Sequence, residues 1–223
     1  MSTPPFGPIL AAAERRHGVE GVAARLPSAK SAADLRATPD DRYLSLMSLR
    51  IFRAGLKHEL VDAKWPAFEE VWHGFAPERC ARVWDEELEA MLADRRLIRH
   101  LGKLRSIRQN AAAMLEIAAA HGSFGAWLAD WPAADVVGLW ETLAKRFAQL
   151  GGNSAPYFLR MAGKDTFILT ESVAKGLVHW GATATPPASR AERRASQNVF
   201  NTWAGETGRP LCQISLILAL SFS

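Results

Sequence analysis

The chain predicts an all-helical fold, and three observations carry that reading. Apolar residues recur at helical spacing through most of the sequence. The breaks between such stretches hold capping residues, glycine or proline. No series of alternating apolar and polar residues marks hairpins, and no internal repeat is found.

Residues 8–24 read as an amphipathic helix that ends near Leu26 and Pro27, and 34–39 read as a polar connection. Asp40 and Asp41 then cap a helix running to about Leu56, with Tyr43, Leu46, Met47, Leu49, Ile51 and Phe52 as its apolar residues. Pro66 suits a first helical turn, so a helix is expected over 66–73, followed by short helices at 77–83 and 85–93. A long helix over 98–120 ends at Gly122; 127–132 is a connection, and Asp135 starts a helix that reaches Gln149. Tyr157 to Ala162 is helical after Pro156, and the β-branched residues around Phe167, Ile168 and Leu169 are too few to require a sheet. Residues 183–188 form a Pro-rich linker. Ser189 and Glu192 make a capping box for a helix to about Ala204, and Pro210 opens the last one.

With 223 residues, 48% of them hydrophobic, and eight Trp, the chain has enough apolar side chains for a substantial core. Its formal charge of +4 suits an anionic partner but is modest, so the position of the charge matters more than its sum. Cys80 and Cys212 lie far apart, without metal-ligand spacing around either. Core thiols in a reducing cytoplasm are therefore expected, with no disulfide framework, no metal and no cofactor. The N-terminal residues lack a basic region followed by an apolar run, and the apolar stretch Ile214 to Leu220 is too short to span a bilayer, so no membrane role is expected.

Charge is concentrated at Arg95, Arg96, Arg99, His100, Lys103, Arg105 and Arg108, with Asp94 the nearby acid. Such a cluster favours phosphate binding, since each neutralised phosphate releases counterions. A solvated helix face is the competing reading. The turn Leu150-Gly151-Gly152-Asn153-Ser154 adds glycine freedom before a helix whose first N–H groups point outward, which suits a phosphate; an ordinary helix end is the alternative.

Taken in order, Phe52-Arg53-Ala54-Gly55-Leu56, Trp65-Pro66-Ala67-Phe68, Gly74-Phe75, the run Ile98 to Ala111 and the glycine turn resemble the 3-methyladenine DNA glycosylase I family over about residues 43–180. The resemblance implies a helix-hairpin-helix glycosylase fold with two helical lobes around a cleft, making 1–223 one glycosylase-like unit with 189–223 packed on its core. It also implies double-stranded DNA containing alkylated bases as the partner, base flipping, and a monomer acting on one nucleotide. Excision of 3-methyladenine needs little apparatus, because the alkylated base is already cationic and leaves readily.

At the position of the family's pocket carboxylate this chain carries Arg50, which cannot accept a hydrogen bond from a base and repels a cation. The pocket tryptophan is matched by His58, the superfamily's aspartate by Thr170, and the family's zinc ligands have no counterparts. The resemblance therefore implies a metal-free, divergent relative. Glu171, near the superfamily's carboxylate position, and His58 are the candidate catalytic residues, with Glu59 as a further carboxylate; ordinary surface roles compete for each. Tyr43, Arg50, Phe52, Arg53 and Trp65 are the candidate base pocket, against a core-packing alternative for the aromatics. Arg99, His100, Lys103, Gly151, Gly152, Asn153 and Ser154 are the candidate DNA clamp. Two functions follow: an N-glycosylase for alkylated purines, with 3-methyladenine foremost, or a noncatalytic DNA-binding or lesion-sensing protein on the same fold.

Overall fold

In the computed structural model, which describes residues 3–222, the described residues form α-helices and two short 3-10 turns and no strand. The helices are α1 (Gly7–His17), α2 (Val19–Ala23), α3 (Ala32–Ala37), α4 (Asp40–Arg53), α5 (His58–Val71), α6 (Pro77–Cys80), α7 (Asp85–Ala93) and α8 (Leu101–His121). They continue with α9 (Phe124–Asp130), α10 (Val136–Arg146), α11 (Ser154–Ala162), α12 (Glu171–His179), α13 (Arg190–Thr207) and α14 (Leu211–Phe222). Two compact units are built from them. The first comprises Met1–Lys30, Pro132–Leu139 and Asp165–Ser223, and the second Ser31–Trp131 and Trp140–Lys164.

In the first unit α14 is apolar on nearly every face, as a helix must be when neighbours surround it, and α1, α12 and α13 pack on it. Gly176 allows the α12 approach, since a Cβ there would come within 3.1 Å of Leu218. The Asp165 carboxylate caps α14 by accepting from the N–H groups of Leu211 (2.8 Å) and Cys212 (2.9 Å), which pairs negative charge with the positive helix end. Phe167 stacks on Phe200 at 4.2 Å.

The second unit is organised around α4, which packs against α5, α8, α9 and α11. Phe124, at the start of α9, is the aromatic hub of its core, lying 5.3 Å from Tyr43, 5.3 Å from Trp127 and 5.7 Å from Phe147. A second cluster joins Phe52, Trp65, Phe68 and Phe75, with Trp65 stacked on both Phe68 and Phe75.

Several boundaries differ from the sequence reading, each for a local reason. The helix expected over 8–24 is interrupted at Gly18, which takes a positive φ of 74°. Residues 34–39 are not a connection: Ser31 and Asp34 form a reciprocal capping box that starts α3. The helix expected at Pro66 begins at His58 instead, so Pro66 sits inside α5 rather than in its first turn. Ser123 caps α9 across most of the expected connection at 127–132. α4 stops at Arg53, three residues short of Leu56, as the chain turns through Gly55 with φ 79°. The Pro-rich segment 183–188 lies within the first unit.

Candidate active site

The end of α4 leaves an open pocket in the second unit. Its walls are Arg50 and Arg53 from the last turn of α4, the connection Ala54 to Lys57, His58 at the start of α5, and Tyr157 and Met161 from α11. Its volume of about 740 Å³ is in the range of small-molecule sites. Tyr157 and Met161 are four residues apart, so one face of α11 supplies both.

The pocket's electrostatics are one-sided. Arg50, Arg53, Lys57 and His58 line it, and no carboxylate does. Arg53 is held in a two-point ion pair by Asp62, at 2.8 and 2.7 Å. The Arg50 guanidinium lies 4.6 Å from the centroid of the Tyr157 ring, a cation–π geometry, while its Nε is buried without a hydrogen-bond partner in the protein. Burial pulls the Arg50 guanidinium below its ordinary pKa; Tyr157 opposes that shift and Arg53 adds to it.

Two side chains of α8 fix segments of the second unit, one of them in the pocket wall. Lys103 reaches across to the end of α4, where its Nζ donates to the carbonyls of Ala54 (2.7 Å) and Phe52 (3.3 Å). These carbonyls have no helical partner of their own, and the ammonium also complements the negative helix end. Asn110, fully buried, binds Ala148 in the loop between α10 and α11 from both sides: its Nδ2 donates to the Ala148 carbonyl (3.1 Å), and its Oδ1 accepts from the Ala148 N–H (2.7 Å). His100 caps α8 by accepting at Nδ1 from the Lys103 N–H (3.3 Å). A Cβ on Gly102 would come 3.3 Å from the His100 ring, which explains glycine beside that cap.

The pocket thus gathers Arg50, Arg53 and His58 from the sequence's candidates and leaves others elsewhere. Tyr43 is wholly buried, donates from its hydroxyl to the Leu35 carbonyl (2.7 Å) and packs on Phe124, so it is a core residue with no free face for a base. Phe52 is also fully buried, against Phe68 at 4.7 Å. Trp65 has both faces occupied by Phe68 and Phe75 and donates from Nε1 to Ser45 (3.1 Å). Glu171 is exposed at the start of α12, in the first unit, paired with Lys175 at 2.6 Å; that contact holds its carboxyl below the ordinary range. Glu59 is exposed and does not line the pocket. Lys103 is a helix cap rather than an outward cation, because its ammonium is spent on two carbonyls and burial lowers its pKa. Arg99, His100, Gly151, Gly152 and Asn153 are exposed, and Ser154 is half-buried.

The sequence reading missed Lys57, Tyr157 and Met161 as pocket walls. The i, i+4 pair of Tyr157 and Met161 just after the glycine turn was the available signal. It also missed the bonds that brace α4 against α5. Glu69 accepts from Arg42 at both oxygens (3.1 and 3.0 Å) and from the Ser45 hydroxyl (2.5 Å), which in turn accepts from Trp65. Among the described residues no group of three His, Cys, Asp or Glu could hold a metal ion. Nor is any described helix long and apolar enough to cross a membrane.

The chain belongs to the methyladenine glycosylase family, whose family model matches residues 36–149, just over half its length. It is 30% identical over 80 residues to DNA-3-methyladenine glycosylase 1 of Escherichia coli (strain K12); the match covers 36% of this chain and 43% of that protein. Solved structures of 3-methyladenine DNA glycosylase I share the fold. The one from Staphylococcus aureus superimposes with a TM-score of 0.53 at 21% identity, covering 68% of this chain and 91% of that one. Another, of 3-methyladenine DNA glycosylase I (TAG), gives 0.50 at 22% identity, covering 72% and 90%.

Proposed function

We propose that this chain is a DNA N-glycosylase that hydrolyses the N-glycosidic bond of a modified purine flipped into the pocket at the end of α4. The supporting observation is that Lys103, from the stretch of sequence that most resembles the family, ties down Ala54 in the wall of that pocket, while Asn110 of the same helix holds Ala148 in the loop ahead of α11, the helix that supplies Tyr157 and Met161. Bracing of this kind keeps a binding site in one shape, as a site that must position a base and a water molecule requires. Arg53 and His58 line the site, and the apolar faces of Tyr157 and Met161 suit a purine. Arg99, His100 and the backbone from Gly151 to Ser154 are the proposed DNA-backbone contacts, at the starts of α8 and α11, where helix N–H groups favour phosphate. The protein is proposed to act as a monomer without a cofactor.

3-Methyladenine, the base in the relatives' names, is the first substrate to test. Purified protein is incubated with methylated duplex DNA and released bases are identified by liquid chromatography. Release of a free purine, absent from a control preparation, is expected; its absence under conditions of measurable DNA binding overturns the enzymatic reading. The second reading, a noncatalytic lesion-binding protein, is favoured by one observation: no carboxylate lines the pocket to orient water.

A further inference from the structure

A glycosylase must accommodate the charge of its base before and during departure, and that charge depends on the lesion. An N3- or N7-alkylated purine is cationic in the nucleotide and leaves neutral. A purine without such a charge is neutral in the nucleotide and leaves as an anion. The sign of the pocket's charge therefore selects between the two classes.

Here the sign is positive. Arg50, Arg53, Lys57 and His58 line the pocket with no carboxylate among them, and Asp62 engages Arg53. Arg50 is different: its Nε is buried without a hydrogen-bond partner in the protein. That Nε is closed off from the pocket, so a ligand meets the terminal N–H groups of the guanidinium. A guanidinium presents parallel N–H groups in a rigid fork, and the adjacent O6 and N7 of a 6-oxopurine are the purine edge that matches it. Adenine derivatives place an amino donor at position 6. A 7-alkylguanine has lost the N7 acceptor and carries positive charge, and 8-oxoguanine presents an N7–H donor.

Resting on the glycosylase reading above, we propose that this pocket takes a neutral 6-oxopurine with free O6 and N7 acceptors, of which hypoxanthine, the deamination product of adenine, is the simplest, and that Arg50 reads that edge. In the reaction the C1′–N9 bond breaks and its electron pair passes to the purine. The oxygen of water bonds to C1′, and the proton released from that water reaches the purine anion through solvent. The products are an abasic deoxyribose and neutral hypoxanthine, with Arg50 stabilising the negative charge as it develops on the departing base. A hypoxanthine paired with thymine also comes out of the stack more cheaply than a matched base.

The test uses the full chain and three duplexes, carrying hypoxanthine opposite thymine, 7-methylguanine opposite cytosine, or 8-oxoguanine opposite cytosine. Single-turnover base release and fluorescence-anisotropy binding are measured for the wild type, Arg50→Gln and Arg50→Glu, with folding of the variants checked by thermal melts. Wild-type release of hypoxanthine about tenfold or more faster than either other base, lost in Arg50→Gln, is expected. Arg50→Glu should shift preference toward the cationic 7-methylguanine. Equal or faster wild-type release of 7-methylguanine overturns the inference and leaves the glycosylase reading standing, and this comparison needs no variant to fold. Tighter binding to the hypoxanthine duplex without release of any base, abolished in Arg50→Gln, upholds the reading of the 6-oxopurine edge by Arg50 and overturns hypoxanthine release. Absence of both release and preference overturns the inference, and the methylated-duplex assay above decides the glycosylase reading separately.

Discussion

The two ends of α4 carry similar residues in opposite circumstances. Near its start, Arg42 is bound in two places by Glu69, which also receives Ser45, and Ser45 receives Trp65. Near its end, Arg50 faces an aromatic ring and a pocket, with its Nε unbonded. One arginine is consumed by the fold and the other is left available. The residue type does not distinguish them; the nearest carboxylate does. At the first end Glu69 comes from the neighbouring helix, whereas at the second Asp62 is taken up by Arg53.

Removing the carboxylate that makes the first end structural is the largest expected perturbation. Glu69→Ala leaves Arg42, Ser45 and Trp65 without their shared partner, and about 2 kcal/mol of stability is expected to go, once the part-exposure of the Arg42 pair is discounted. Chemical denaturation measures it, and a double-mutant cycle with Arg42→Ala should give positive coupling. Additive losses would mean that the bonds are incidental, and the contrast between the two ends would lose its basis.

Lys103 tests the other end, with a smaller effect. Lys103→Met keeps the aliphatic stem but frees the carbonyls of Phe52 and Ala54, so a loss of about 1 kcal/mol is expected. Its effect on DNA should be indirect: the slope of log affinity against log salt stays at the wild-type value, because a capping ammonium neutralises no phosphate. A slope shallower by about one contact would return Lys103 to the DNA clamp.

What the sequence made legible follows from the range of the interactions involved. The all-helical class was readable because cap signals such as Ser189 with Glu192 act within one turn, and that box is present in the structure. Ser31 with Asp34 is an equally local box that the reading passed over. Pro66 misled because proline suits a first turn but can also lie within a helix held by its neighbours, as Trp65 and Phe68 hold this one. For the candidate site, Arg50 and His58 were reachable because they adjoin the Ala54-Gly55-Leu56 turn. Lys103 reads as a DNA contact from the sequence because a cation in a basic run looks the same whether it faces solvent or, as here, a carbonyl forty-nine residues away. Tyr43, Phe52 and Trp65 suit a base pocket by residue type, yet other aromatics enclose the first two and stack on both faces of the third, half-buried one.

The smallest effect concerns the very start of α4, where Asp40 accepts from the Phe124 N–H at 3.0 and 3.2 Å. Two influences compete there. Burial raises the carboxyl pKa above its ordinary 3.8, with Glu78 and Asp41 adding to the rise, while the N–H groups of Phe124 and Gly125 oppose it; burial prevails. A carboxyl whose folded-state pKa is raised binds its proton more tightly in the folded protein. Its contribution to stability is full below 3.8 and is lost as pH rises through the folded value. Glu171 and Glu192, both lowered, act in the opposite direction in the same acid range, so the wild-type profile alone cannot isolate Asp40. The difference in unfolding free energy between wild type and Asp40→Asn does, and it should fall as pH is raised from below 3.8. A difference that grows with pH would mean that the N–H donors and the positive helix end outweigh burial. Asp40 would then be stabilised as an anion, and the start of α4 would be an electrostatic anchor as firm as the Arg42–Glu69 pair two residues further along.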